Sequence, residues 1–179
     1  MHAVLRRLAP EALVVDLTHE IPPFDVQAGA EALTRAIPHL GPGVILGVVD
    51  PGVGGPRRPV AIEASLDAQA GAAGGRWLVG PDNGLLVRAA EHVGEIVLAV
   101  ELEVSAVGPS RTSGSSTSGP STSGPGTFDG RDVFAPAVAA LCNGAAAHDL
   151  GSEIDPSGLV RLPGPLLQVS VAPDGGIIV

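Results

Sequence analysis

The chain has no lysine and no tyrosine, and its 179 residues include one cysteine, one tryptophan and three phenylalanines. All ten basic residues are therefore arginines, and against 19 acidic residues they leave a net charge of −9 at pH 7. That balance provides no basic stripe for a phosphate backbone, so we expect no nucleic-acid partner.

The single cysteine, Cys142, excludes an intrachain disulfide and favours a reducing, cytoplasmic compartment. No stretch approaches the roughly 18 uninterrupted apolar residues of a membrane span, and the first residues lack a signal-peptide pattern. We therefore expect a soluble protein with no membrane partner. Because aromatic residues are scarce, the core must consist of Val, Leu, Ile and Ala, which suits a parallel sheet buried on both faces.

Apolar runs of strand length alternate with helical patterns along most of the chain. The strand patterns cover residues 12–17, 44–49, 59–64, 76–80 and 95–100, and the helical patterns cover residues 3–8, 25–37, 83–93 and 130–143. Asp25 is the expected cap of the second helix, and Gly144 closes the last. This order predicts an α/β fold, a mostly parallel sheet flanked by helices.

The stretch 108–126 differs from the rest, because 18 of its 19 residues are Gly, Pro, Ser or Thr. We predict a disordered surface insertion there. After residue 155 the pattern changes to short apolar segments at 159–162, 166–172 and 176–179, typical of β-strands. We therefore predict an α/β domain over residues 1–152, and over residues 153–179 the beginning of a small β-barrel domain that is cut short.

Three polar runs follow the ends of strand patterns: DPGVGGPRR at 50–58, PDNGLL at 81–86 and TFDGRDVFAP at 127–136. Open α/β sheets bind ligands beyond the carboxyl ends of their strands. We therefore predict that the three runs form one active-site rim.

Each run also has a plainer interpretation. Composition alone favours a turn-stabilising Asp50 and a solvated Arg57, and Asp82 and Asn83 next to glycine are ordinary turn formers. Arg131 and Asp132 suit a local pair at a helix start. The DPGVGG run lacks the Lys and Ser or Thr of a phosphate-binding loop.

The histidines favour no metal site. His2, His39, His92 and His148 lie apart in sequence, without the short spacings of metal ligands. A lone histidine such as His19 in a proline-rich loop is most often a hydrogen-bonded structural residue.

Four ordered motifs, DLTHEIPPFDV, VVDPGVGGPRR, LVGPDNGLL and TFDGRDVFAPAVA, resemble the S-adenosylmethionine hydroxide adenosyltransferases, which are water-using relatives of the fluorinase and chlorinase. The resemblance implies an amino-terminal α/β domain, a smaller β-barrel and a homotrimer with active sites between subunits. The implied reaction is hydrolysis of S-adenosylmethionine to adenosine and methionine by attack of water on the ribose 5′ carbon. S-adenosylmethionine is the substrate, and no cofactor is implied.

The resemblance also implies roles for individual residues. Asp50 matches the aspartate that handles the water, and Arg57 matches the arginine paired with it. Asp129 stands where the family has a histidine. Because two neighbouring carboxylates tend to share a proton, we expect a slower or differently pH-dependent hydrolysis.

The pocket residues implied by the same match are Phe24 and Phe128, with Asp82 and Asn83 as further candidates. The halide-using relatives carry tyrosines where this chain has Asp50 and Asp129. Two carboxylates would repel a halide in a water-poor pocket, so water is the expected nucleophile.

A second hypothesis remains open. Family members begin with a strand bearing a TDFG-like run that precedes the first residue here, and most of the expected barrel is missing. The chain would then be a truncated or degenerate homologue without turnover, retaining weak nucleoside binding or subunit association.

Overall fold

The computed structural model describes residues 1–65, 75–103, 128–164, 170–171 and 177–178. Its α-helices are α1 (His2–Leu8), α2 (Val26–Ala36), α3 (Val87–Val93) and α4 (Ala135–Cys142). Its strands are β1 (Val44–Leu46), β2 (Pro59–Ser65), β3 (Arg76–Pro81), β4 (Glu95–Leu102), β5 (Gly151–Glu153), β6 (Ser170–Val171) and β7 (Ile177–Ile178). A π-helical turn, Gly130–Phe134, leads into α4, and single 3₁₀ turns lie at Ile37–His39, Ala147–Asp149 and Pro156–Gly158.

A five-stranded sheet in the order β1-β3-β2-β4-β5 forms the middle layer. Successive strand residues point to opposite faces, so β2 contributes to two separate cores. Val60 and Ile62 pack in the core beneath α2 and α3, whereas Ala61 packs with α1 and α4 on the other face. The expected α/β class, a sheet flanked by helices, is confirmed.

The strand directions differ from the expected mostly parallel sheet. β1 pairs with β3 in parallel, but the β2–β3, β2–β4 and β4–β5 pairs are antiparallel. Ten residues separate β2 from β3 in the sequence. A parallel crossover needs a dozen or more residues, whereas an antiparallel pair needs only a turn.

Two segments expected to form strands do not. Residues 12–17 lie in no strand, and most of their apolar side chains face solvent, with Leu13 90% and Val15 66% exposed. Residues 159–162 are also irregular, although Leu159 is buried in the core beneath α2 and α3. The strands were expected from apolar composition alone. A strand also needs a neighbouring strand with which to form backbone hydrogen bonds.

Two helix ends follow the sequence closely. The Asp25 carboxylate accepts a hydrogen bond from the Ala28 N–H at 2.8 Å, which caps α2 as expected. Gly144 adopts φ 85° just after α4, where a left-handed residue commonly ends a helix.

Beyond β5, the described residues include an antiparallel pair, β6 with β7, but no closed barrel. The expected insertion at 108–126 lies outside the described residues. The division into domains at residue 152 remains a prediction. None of the helices in the described part of the chain is both long and apolar enough to cross a bilayer.

Candidate active site

Two of the three polar runs meet at one edge of the sheet because of the strand directions. β1 and β3 run in parallel and end at this edge, and the antiparallel β2 begins there. Asp50 therefore follows β1, Arg57 and Arg58 precede β2, and Asp82 follows β3.

The third run joins them through a cluster of two carboxylates and one guanidinium, which we call the acid–arginine–acid triad (Asp50, Arg57 and Asp129). Arg57 Nε donates hydrogen bonds to both Asp50 oxygens, at 3.0 and 2.9 Å. Arg57 Nη2 donates to Asp50 Oδ2 and also to Asp129 Oδ2, the latter at 2.6 Å. The structure thus brings together all three residues for which the resemblance implied catalytic roles.

The triad is largely shielded from water. The exposed fractions of its side chains are 6% for Asp50, 11% for Arg57 and 13% for Asp129. Burial alone would lower the pKa of Arg57, but hydrogen bonds to Asp50 and Asp129 outweigh burial and raise it. The guanidinium therefore stays charged, and two ionised carboxylates would give the triad a net charge of −1.

Packing fixes the position of the guanidinium. Its Cζ lies 5.5 Å from the centroid of the Phe134 ring, which is fully buried and supplies a cation–π contact. On the loop side, Gly52 packs closely against the Arg57 side chain. A Cβ added at Gly52 would lie only 3.2 Å from Arg57 Cγ. Sequence reasoning missed Phe134, although it lies in the same polar run as Asp129.

A cavity of about 630 Å³ opens beside Asp50. Residues 17–19 and 21–24 form one wall, and residues of α2 form another. Residues 46–50, from the end of β1 to Asp50, also line the cavity. Its volume falls in the range of about 300–1,000 Å³ that is typical of small-molecule sites. Arg57 and Asp129 are not among its lining residues, so Asp50 is the triad residue that faces the cavity.

The two candidate pocket aromatics have different surroundings. Phe24 lines the cavity, is 74% exposed and adopts φ 68°, a conformation rare for a bulky residue. Phe128 does not line the cavity, and its ring instead lies 4.7 Å from Arg131 Cζ. Arg131 in turn pairs with Asp132 at 2.6 Å, the local pairing expected for these two residues.

Asp82 is held away from the cavity by other groups. Its side chain is 3% exposed, and its Oδ2 accepts hydrogen bonds from Arg58 Nε at 3.0 Å and Nη2 at 2.6 Å. Its Oδ1 accepts from the Val160 N–H at 2.8 Å. These contacts tie the segment after β5 to the rim.

Asn83 organises the backbone beside the triad. Its Nδ2 donates to the carbonyl of Val49 at 2.9 Å, and its Oδ1 accepts from the Leu85 N–H at 3.1 Å. Asn83 therefore fixes the residue immediately before Asp50.

Comparison with known proteins places this geometry in a family. The family sequence model of the SAM hydroxide adenosyltransferase N-terminal domain matches residues 1–151, which include the whole triad. The chain belongs to this family.

Relatives in the SAM hydroxide adenosyltransferase family are closely similar in sequence. The chain is 46% identical over 167 residues to the (R)-S-adenosyl-L-methionine hydrolase of Salinispora arenicola. The aligned region covers 93% of this chain and 56% of the relative. It is 40% identical over 178 residues to the enzyme of the same name from Thermus thermophilus, covering 98% and 62% respectively. The chain thus spans between half and two thirds of the length of these relatives.

Solved structures agree with the fold. A conserved protein from Thermotoga maritima superposes with a TM-score of 0.71 at 31% identity, covering 93% of this chain and 56% of that one. A conserved protein from Thermus thermophilus gives a TM-score of 0.65 at 36% identity, with 93% and 57% covered.

Proposed function

We propose that the chain carries the catalytic residues of a hydrolase that converts S-adenosylmethionine to adenosine and methionine, without a cofactor. The observation that carries the proposal is the acid–arginine–acid triad beside a cavity of ligand size. Support also comes from the Salinispora and Thermus relatives, which are named (R)-S-adenosyl-L-methionine hydrolases.

The charge of the triad suits this substrate. S-adenosylmethionine carries a sulfonium cation, which the triad would attract when both of its carboxylates are ionised. At an effective dielectric constant of about 20, two unit charges 4 Å apart interact by about 4 kcal/mol. The sulfonium leaves as a neutral thioether, so the protein needs only to align a water molecule and to accept its proton.

Each triad residue has a distinct role in the proposal. Asp50 faces the cavity and orients the attacking water, from which it accepts the proton. Arg57 holds the Asp50 carboxylate by hydrogen bonds from two of its nitrogens, which fixes the direction in which the oxygens point. Asp129 takes the second acceptor position on Arg57, where the resemblance places a histidine.

The remaining candidates divide by their contacts. We assign Phe24 to the substrate pocket, because its exposed ring lines the cavity beside Asp50. Phe128 stays a candidate through its place next to Asp129. The contacts of Asp82 and Asn83 favour a role in shaping the rim over direct contact with the substrate.

We also propose a homotrimer in the cytoplasm. The exposed apolar side chains of Leu13, Val15 and Phe128 favour burial against another subunit. The resemblance supplies the number of subunits, and the single cysteine supplies the compartment.

A homologue that binds the nucleoside without turnover is the second candidate. The replacement of a histidine by Asp129 favours it, because a carboxylate there changes the charge around Arg57, which holds Asp50.

Incubating the purified chain with S-adenosylmethionine and measuring adenosine by chromatography separates the two candidates. We expect adenosine from the unmodified chain, at least about a hundredfold less from Asp50→Asn, and no change for Asp149→Asn, an exposed aspartate on a 3₁₀ turn that does not line the cavity. Absence of adenosine together with retained binding in equilibrium dialysis would support the second candidate.

A further inference from the structure

An exposed carboxylate, Asp16, accepts hydrogen bonds from two histidines. His2 Nε2 lies 2.8 Å from Asp16 Oδ1, and His19 Nε2 lies 3.0 Å from the same oxygen. The three ligand-type atoms all lie within 4.8 Å of one another. Of the residues that the structure describes, these three form the one such group of His, Cys, Asp or Glu.

The fold brings the group together from two segments. His2 is the first residue of α1, which the buried Leu5 and the α4 contacts anchor to the sheet. The chain then turns after α1, and Asp16 and His19 lie in the irregular segment that follows. Spacing in the sequence does not reveal the group, because 14 residues separate His2 from Asp16.

The ligand types and the distances between them suit a divalent transition metal. Two imidazoles and one carboxylate are common zinc ligands, with Zn–N and Zn–O distances of about 2.0–2.2 Å. Tetrahedral ligands at that distance lie about 3.4 Å apart. The observed 2.8 and 3.0 Å separations therefore need only small side-chain shifts to admit an ion.

Exposure makes such shifts easy. The exposed fractions of the side chains are 55% for His2, 51% for Asp16 and 69% for His19. An ion can therefore enter from solvent, and water can fill the positions that the protein leaves open. Binding at Nε2 requires each neutral imidazole to carry its single ring proton on Nδ1, and only a histidine protonated on both nitrogens would release a proton to solvent.

We propose that His2, Asp16 and His19 form a binding site for a divalent transition metal ion of the zinc class. His19 also lines the cavity beside the triad. The ion therefore links α1 to the cavity wall formed by residues 17–24, and its role is structural. The proposal is independent of hydrolysis, because the ligands come from outside the triad.

Isothermal titration of the metal-stripped chain with Zn²⁺ tests the site directly. The chain should carry no histidine tag, and the Cys142→Ser background removes the one thiol that competes for zinc. We expect saturable 1:1 binding. Loss of even a residue that only hydrogen-bonds to a metal ligand costs about 10–100-fold in affinity, so we expect at least about a tenfold higher Kd for each of His2→Asn, Asp16→Asn and His19→Asn.

A matched control is His148→Asn. His148 lies 3.4 Å from Asp149 but has no third ligand in the described residues, so its replacement should leave Kd unchanged. Co²⁺ offers a second measurement, because nitrogen ligation changes its visible absorption spectrum. Absence of 1:1 binding, or an unchanged Kd in all three ligand variants, would overturn the proposal.

Discussion

Replacement of Arg57 by lysine tests whether the triad depends on the shape of the guanidinium or only on its charge. Arg57 reaches Asp50 through Nε and Nη2 and reaches Asp129 through Nη2 as well. A lysine keeps the positive charge but presents one nitrogen on a flexible stem. A lysine nitrogen in the place of Nη2 could reach both carboxylates, but Arg57→Lys loses the two hydrogen bonds that Nε donates to Asp50.

The expected loss follows from the contacts. A hydrogen bond to a charged group contributes about 1.5–3 kcal/mol, and the triad side chains are nearly buried, so water replaces the lost bond poorly. Losing the two bonds from Nε to Asp50 should lower the free energy of unfolding by about 2–3 kcal/mol. For a chain of this size the thermal midpoint should fall by about 4–12 °C.

Thermal unfolding followed by circular dichroism at a fixed protein concentration measures this shift. Arg131→Lys is the matched control, because Arg131 pairs with Asp132 through two nitrogens in the same way but is 56% exposed. We expect no measurable shift for the control. Equal midpoints for the two variants would refute the reasoning that the buried fork of hydrogen bonds stabilises the site.

Three further substitutions test other parts of the structure. Asp129→His should change the pH dependence of adenosine release, because it removes one negative charge from Arg57, and an unchanged rate and pH profile would contradict this. Gly80→Ala should lower stability by about 3 kcal/mol or more in urea unfolding, because the new Cβ would lie 2.1 Å from the Gly47 carbonyl oxygen, whereas Gly41→Ala meets no atom within 4 Å and should be nearly neutral. Burial raises the pKa of Glu63, so this residue favours the folded state below its unfolded pKa and loses that contribution as the pH rises through its folded pKa. Glu63→Gln should therefore raise the thermal midpoint at pH 7 more than at pH 4, and an equal gain at both would contradict the assignment.

Local signals in the sequence predicted the helices well. The Asp25 cap is a contact over three residues, and Gly144 acts through its own backbone, so both can be inferred from a short stretch. Strand direction cannot be inferred in this way, because it depends on which strands become neighbours. The antiparallel direction of β2 was therefore missed, although the β2–β3 connection is too short for a parallel crossover.

The site shows the same division between local and long-range information. Asp50 and Arg57 lie seven residues apart in one loop, and their pairing follows from the family motif. The contact between Arg57 and Asp129 spans 72 residues and needs the whole sheet to form. Sequence reasoning missed the His2–Asp16–His19 group for a similar reason: Asp16 and His19 are three residues apart, but His2 comes from 14 positions before Asp16.

The position of β2 links the fold to the proposed chemistry. Because β2 runs opposite to β1 and β3, its first residues lie at the edge where those strands end, and the guanidinium reaches the carboxylate that follows β1. A parallel β2 would begin at the far edge of the sheet and separate Arg57 from Asp50. Phe134 and Asp129 then hold the guanidinium from the side of α4. The carboxylate is thus oriented before any substrate binds, which is the preorganisation that a site for aligning a single water molecule requires.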